Sequence, residues 1–320
     1  MKKILITGSA GFIGFNLHNY LSKYYEIIGC DNLSSASKKT QLLRLKEIKK
    51  KKLRFIKLDL NNSKSIKKKL KNNKFDLIIH LAAQPGVRAS QINPQKTISN
   101  NLISFINVYE YAVKNKIKNI FFASSSSVYG DSKTFTENKS KLNPTSIYGV
   151  SKLSNEYLAK TYNKLYGINS LALRFFTVYG PWGREDMSYY KFFRSIALNR
   201  KVEIYGDKTS KRSFTYIDDV CIIIHKLITL YKNKEKFLDT INLGNNQSKT
   251  LGELIKIIRL NTKIKFYEFS SERNKSDAYI TVSNNKKINS LIKYEAKTGL
   301  NFGIRKFYAW YKKYVNKYFK

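Results

Sequence analysis

Over the first 175 positions, short apolar runs alternate with stretches in which apolar residues recur at helical spacing. Residues Lys2 to Ile6 form an apolar run, a glycine turn follows, and Phe12, Ile13, Leu17 and Leu21 then line one helical face. Glu26 to Cys30 predicts a second strand, Leu42 to Lys52 a lysine-rich helix, Leu53 to Leu58 a third strand and Phe75 to His80 a fourth. Helical periodicity from about Pro94 to Asn115 leads to a fifth strand over Asn119 to Ala123, a long helix over Ser146 to Tyr166 and a sixth strand over Ser170 to Phe175. Such alternation implies right-handed crossovers and an α/β fold with a doubly wound parallel sheet.

After Phe175 the alternation loosens at the loop Pro181-Trp182-Gly183, and the elements become shorter. Residues 1–175 are therefore expected to form one domain and residues 176–320 mainly a smaller C-terminal α/β lobe. Part of 212–240, around the apolar stretch Phe214 to Leu230, should return to the first domain.

Composition narrows the options. A hydrophobic fraction of 42% in 320 residues excludes a largely disordered chain. No run of about 18 apolar residues predicts a membrane span. Glycines at 8, 11 and 14 interrupt the apolar start, so a signal peptide is not expected and the cytoplasm is. Cys30 and Cys221 read as core thiols, and His18, His80 and His225 lack ligand spacing, so neither disulfide nor metal is predicted. The net charge of +38 would suit nucleic acid, but the lysines are spread over many segments without a recognition motif. No nucleic-acid partner is expected, although the charge would attract a phosphorylated substrate.

Gly8-Ser9-Ala10-Gly11-Phe12-Ile13-Gly14 lies directly after a strand and before a helix. In that setting glycines let backbone N–H groups approach a pyrophosphate at the positive end of the helix, and the last glycine lets helix and strand pack closely. The first domain is thus expected to be a Rossmann-type, dinucleotide-binding unit, with Phe12 and Ile13 among the contacts. Asp31, which ends the second strand 20 residues beyond Gly11, can accept from both ribose hydroxyls and would repel a 2′-phosphate, which points to NAD. Asn32 neighbours it. Asp59, with Leu60, could accept from the adenine amino group or cap the next helix, and Ala82 and Ala83 are small enough to let a cofactor lie on the backbone.

Tyr148 and Lys152 stand four apart at the start of the long helix. With 23 tyrosines and many lysines that spacing is weak, but the preceding strand ends in Ser124-Ser125-Ser126-Ser127, at the edge of the sheet where ligands bind. A nearby ammonium should favour the phenolate and make Tyr148 a usable base.

Together the segments GSAGFIG, HLAAQPGVRAS, ASSSSVYG, YGVSK, LRFFTVYGPWGR and RSFTYIDDV resemble the extended short-chain dehydrogenase/reductases over nearly the whole chain. Within these they are similar to the nucleotide-sugar 4-epimerases, most of all the UDP-glucuronate 4-epimerase subgroup. The resemblance implies that Ser125, Tyr148 and Lys152 form the catalytic set, that Tyr148 and Lys152 also touch NAD, and that Arg212 binds the phosphates of a UDP-sugar. It implies transient oxidation at C4, rotation of the 4-keto sugar and hydride return. A homodimer built on the helices at 94–115 and 146–166 is implied as well.

Related 4,6-dehydratases and uronate decarboxylases carry carboxylates after the catalytic hydroxyl, where this chain has Ser126 and Ser127. On the glucuronate reading, Ser126, Ser127 and Thr177 are expected to hold the sugar carboxylate, Arg184 to pair with it during rotation, and Arg88 to be a further anion contact. The segment 271–277 departs from the QPGD pattern of these epimerases, leaving Arg273 or Lys275 as possible compensations. Two other readings stay open: a 4-epimerase of UDP-glucose or a UDP-N-acetylhexosamine, and a non-catalytic, basic NAD-binding scaffold.

Overall fold

The computed structural model describes residues 2–34, 37–71, 73–138, 141–272 and 278–315. Alternation within its first strand, β1 (Lys3–Thr7), shows how the layers form: Ile4 and Ile6 enter one apolar cluster and Leu5 another. The chain continues through α1 (Phe12–Leu21), β2 (Glu26–Asp31), α2 (Lys38–Lys50), β3 (Phe55–Lys57), α3 (Ser63–Leu70) and β4 (Leu77–His80). Next come α4 (Val87–Ile92), α5 (Pro94–Ile98), a π-helical turn at Ser99–Ile103, α6 (Ser104–Lys114), β5 (Asn119–Ser125), α7 (Ile147–Tyr166) and β6 (Asn169–Phe175). The remainder is β7 (Thr177–Tyr179), α8 (Ser188–Ala197), β8 (Val202–Tyr205), β9 (Lys211–Tyr216), α9 (Ile217–Tyr231), β10 (Leu238–Leu243) and β11 (Ser248–Thr250). It closes with α10 (Leu251–Thr262), β12 (Glu268–Ser271), β13 (Ile280–Thr281), α11 (Lys286–Ile292) and α12 (Leu300–Tyr314).

Seven strands form one parallel sheet in the order β10-β6-β5-β4-β1-β2-β3. One face carries α1 and α9, which touch each other, and the other carries α3, α6 and α7 through Ile66, Leu70, Phe105, Val108 and Ala159. Strand order reverses between β1 and β4, and a crevice opens there at the carboxyl ends, the usual ligand position in a Rossmann-type sheet. Two elements after Phe175 lie on this sheet: α9 packs on α1, and β10 pairs with β6 from Leu238↔Ser170 to Leu243↔Phe175.

The other elements make a second layer above the crevice. There β9 pairs with β7, β11 and β13, and β8 pairs with β12. Aromatic residues of α8 and α12, including Tyr189, Phe193, Phe307 and Tyr311, lock together beneath it.

Two local expectations need correction. The helix expected at 42–52 spans Lys38–Lys50, because the Glu185 carboxylate accepts from Thr40 N at 2.9 Å and Thr40 Oγ1 at 3.0 Å in its first turn. The helix expected at 94–115 is interrupted by the Ser99–Ile103 π turn, in which Asn101 turns inward. Its Oδ1 accepts from Gln84 N at 2.7 Å, and its Nδ2 donates to Ser151 Oγ at 2.9 Å, which ties the loop after β4 to α7.

Candidate active site

One cavity of about 840 Å³ runs across the carboxyl edge of the sheet and beneath the second layer. Its cofactor end is shaped by glycines. Gly8 has φ +70°, and a Cβ on it would lie 2.7 Å from Ala82 N, so β1 and β4 meet backbone to backbone at the strand-order switch. A Cβ on Gly14 would lie 2.1 Å from Gly8 O, which is why this position lets α1 close onto the turn. No side chain caps α1 at Gly11, so its first-turn N–H groups remain available to an anion. Phe12 and Ile13 line the same wall.

Asp31 reaches this end from the tip of β2, accepting from Leu33 N at 2.8 Å and Ala10 N at 3.1 Å. Burial raises its carboxyl pKa, while those two N–H groups and the Arg44 charge oppose the rise. Asn32 accepts from Ser34 N and Ser34 Oγ. Asp59 accepts from Asn61 N at 3.0 Å and faces the cavity with Leu60, but the cap of α3 is Asn62, which accepts from Ser65 N. Ala82 N donates to Thr7 Oγ1, which also bonds the buried His80 ring at 2.8 Å, and Ala83 follows on the cavity wall.

Ser125 ends β5, and Ser126 and Ser127 turn away in a short 3₁₀ segment held by Ser127 N donating to Ser125 Oγ at 3.1 Å. Ser146 caps α7 by accepting from Gly149 N, and a Cβ on Gly149 would meet Ser127 O at 2.6 Å. The first turn of α7 is thereby pressed against the serine turn, and Tyr148 comes beside Ser125. Lys152 is buried, with Nζ 5.9 Å from the Tyr148 ring centre.

Burial raises the Tyr148 phenol pKa; the Arg184 charge and then the Ser125 hydrogen bond oppose it. Arg184 is thus a cation that favours the phenolate from outside α7. The Lys152 amine is itself pushed down to about 8 by burial.

Behind the serine turn lies a buried network that positions it. Arg174 holds Glu156 of α7 through Nε at 2.9 Å and Nη2 at 2.7 Å; Ser124 Oγ donates to Glu156 at 2.5 Å, and Arg174 Nη1 donates to the Tyr129 hydroxyl at 2.8 Å. Glu156 is therefore engaged and does not act as a free acid or base.

Beyond Tyr148, Thr177 begins β7 and lines the cavity. Arg184 makes a two-pronged pair with Asp186, Nε to Oδ1 at 3.0 Å and Nη2 to Oδ2 at 2.5 Å. Arg88, at the start of α4, stacks its guanidinium 3.8 Å from the centre of the Tyr205 ring. Arg212 of β9 donates to Tyr279 O at 2.8 Å and Ala278 O at 2.5 Å. All four line the cavity, whereas Arg273 and Lys275 fall outside the described residues.

Several participants were not evident from sequence. Arg44, fully buried on α2, donates to Ala10 O at 2.7 Å and Trp182 O at 2.6 Å, joining the glycine turn to the loop that carries Arg184. Nothing in the lysine-rich helix sets it apart from solvated cations. Asp186 could have been suspected from its place two residues after Arg184; Lys191, Tyr205 and Asn101 carry no local signal. No group of His, Cys, Asp or Glu suited to a metal occurs among the described residues.

Residues 4–244 match the NAD dependent epimerase/dehydratase family. The chain is 34% identical over 321 residues to a UDP-glucuronate 4-epimerase of Thermodesulfobacterium geofontis, with 98% of each chain covered. It is 35% identical over 327 residues to UDP-glucuronate 4-epimerase 6 of Arabidopsis thaliana, covering 96% of this chain and 71% of the plant protein. The crystal structure of UDP-glucuronic acid 4-epimerase from Bacillus cereus, in complex with UDP-glucuronic acid and NAD, superposes with a TM-score of 0.88 at 30% identity, covering 97% of this chain and 99% of that one.

Proposed function

The chain belongs to the NAD dependent epimerase/dehydratase family, and from that premise we propose that it interconverts UDP-glucuronate and UDP-galacturonate by NAD-dependent epimerisation at C4. The glycine turn, the uncapped start of α1 and the Asp31 carboxylate fit a dinucleotide, with Asn32, Asp59, Leu60, Ala82 and Ala83 along its adenosine and nicotinamide path. Bound there, NAD supplies the acceptor and then the donor of the C4 hydride.

Tyr148 takes the proton from the sugar 4-hydroxyl as the C4–H bond breaks, and Ser125 hydrogen-bonds the phenol oxygen. Burial makes Tyr148 a strong base once deprotonated, and Arg184 with Ser125 makes that state accessible. Lys152 holds position beneath it and offers N–H donors to the cofactor ribose. The resulting 4-keto sugar turns over, Tyr148 returns the proton, and the second face of C4 is reduced.

Ser126, Ser127 and Thr177 hold the sugar carboxylate, Arg184 and Arg88 are its cationic partners, and Arg212 takes the diphosphate. The observation that carries this reading is the disposition of acids around the cavity. Its described carboxylates are Asp31, Asp59, Asp186 and Glu203. Asp31 and Asp59 sit at the cofactor end, Asp186 is paired with Arg184, and Glu203 accepts from Tyr205 and Ser271. Among the described residues no carboxylate is free beside Tyr148 to serve as the acid and base of an elimination, which favours oxidation and return.

We also infer a homodimer through α6 and α7: α7 leaves Ile147, Val150, Tyr157 and Leu165 exposed, and the π turn that leads into α6 leaves Ile103 exposed. The unpaired, buried Cys30 and Cys221 suit a reducing compartment, and we place the enzyme in the cytoplasm; among the described residues no helix is long and apolar enough to cross a membrane. Light scattering should give twice the 37.2 kDa chain mass, and Tyr157→Asp should shift it towards one; a wild-type monomer would refute the dimer.

The activity is tested by incubating the purified protein, without added NAD, with UDP-glucuronate, UDP-glucose and UDP-N-acetylglucosamine. UDP-galacturonate should form fastest. A preference for either neutral sugar, or release of a UDP-pentose, would contradict the proposal.

A further inference from the structure

Asp186 has no part in the proton transfer above, yet it is fastened to the residue that serves both Tyr148 and the sugar carboxylate. Its two oxygens occupy Nε and Nη2 of Arg184, the two donors with which a guanidinium grips a carboxylate side-on. The surrounding backbone has little freedom. Trp182 O accepts from Arg44 at 2.6 Å, Glu185 N donates to Ser37 Oγ at 3.1 Å, and the Glu185 carboxylate is held by Thr40. Residues on both sides of Arg184 are therefore tied to α2, and the adjustable part is the ion pair itself.

The pair has room to adjust. Its side chains are 27% and 52% exposed for Arg184 and Asp186, opening into the cavity. Across from them stands Gly86 with φ +107°, where a Cβ would come within 3.4 Å of Arg184 Nη2 and 3.8 Å of Asp186 Oδ2. Burial raises the Asp186 carboxyl pKa, but Arg184 above all, and least of all Lys191 of α8, which lines the same cavity, hold it below its ordinary value.

We propose that Asp186 is a positioning residue that sets substrate specificity by holding Arg184 in a pair that an acidic sugar must displace. This rests on the UDP-glucuronate reading. Binding a uronate then exchanges one carboxylate for another on the same guanidinium. A neutral hexose leaves the pair intact. Because the exchange nearly balances, the sugar carboxylate is held loosely enough to be released and regained as the ketone turns.

Steady-state kinetics of the intact protein with Asp186→Asn and Asp186→Glu, on UDP-glucuronate and UDP-glucose, test this. With the competing charge gone, Asp186→Asn should lower KM for UDP-glucuronate by about two- to fivefold, the range of a partly exposed ion pair. KM for UDP-glucose should stay unchanged. Asp186→Glu keeps the charge and should keep the wild-type ratio; retained NAD, measured after denaturation, reports that each variant is folded. Equal losses on both substrates would mean that Asp186 only shapes the loop, and unchanged KM values would mean that it does not compete; either overturns the proposal. If the wild type itself fails to convert UDP-glucuronate, the failure lies with the functional reading instead.

Discussion

Around Gly8, Gly11 and Gly14 the cavity wall is backbone, whereas around Arg88, Arg184 and Arg212 it is made of long side chains that already hold partners. The first wall excludes atoms. At Gly14 the missing Cβ would have been 2.1 Å from a carbonyl oxygen, so this end accepts a dinucleotide without adjustment and tolerates no added carbon. The second wall holds contacts between side chains, and on the proposal above Arg184 exchanges Asp186 for a substrate carboxylate. A cofactor that stays bound needs the first kind, and a sugar ring that must turn over within the site needs the second. Changes at the cofactor end should therefore be all-or-none and blind to substrate, and changes at the sugar end graded and substrate-dependent.

The largest expected effect is at the rigid end. Gly14→Val would force α1 away from the turn, and the variant should purify without NAD and without measurable activity on any UDP-sugar; nucleotide content after denaturation, read beside circular dichroism, checks it. A Gly14→Val protein with a full complement of NAD would remove the distinction between the two walls. Tyr148→Phe lies between them: kcat should fall by about a thousandfold, within the usual range for loss of a general base, with NAD content unchanged. Loss of NAD together with activity would show that the phenol is part of the cradle instead.

Arg184→Ala sharpens the comparison from the other side. Removing a charged, hydrogen-bonded anchor should cost about ten- to a hundredfold in kcat/KM for UDP-glucuronate. UDP-glucose should lose much less, retaining only the penalty from weaker support of the Tyr148 phenolate. Equal losses would mean that Arg184 acts through Tyr148 alone.

The smallest effect concerns Lys152. Its amine is lowered by burial from 10.5 to about 8, so between those values the unfolded chain binds a proton that the folded chain lacks. Stability from this group therefore rises with pH across that window, and the cost of the buried ammonium is fully present below it. In thermal unfolding, the melting temperature of the wild type minus that of Lys152→Met should climb by about 2 °C per pH unit within the window. A flat difference would show that Lys152 is solvated in the folded protein.

The same contrast explains what could be read in advance. A wall made of backbone is written in the chain as glycine spacing, so β1, the turn, α1 and Asp31 were legible from local pattern, as were most strands of the sheet. A wall made of side chains depends on residues distant in sequence. Arg44 looked like one more surface cation on a lysine-rich helix, and only the fold brings it between Ala10 and Trp182. The Ser99–Ile103 π turn preserves apolar periodicity while redirecting Asn101, so periodicity could not separate it from a continuous helix. The juxtaposition of Tyr148 and Lys152 was visible along α7, but the approach of the Arg184 charge to the phenol comes from a loop that spacing along α7 could not show.

The central claim is that hydride leaves C4 and returns to it within one closed turnover. It is tested most directly by converting UDP-glucuronate deuterated at C4 with the purified protein, no cofactor added, and reading the product by mass spectrometry and NMR. The account predicts UDP-galacturonate that keeps its deuterium at C4. Product with the label washed out, or a UDP-pentose in its place, would contradict it.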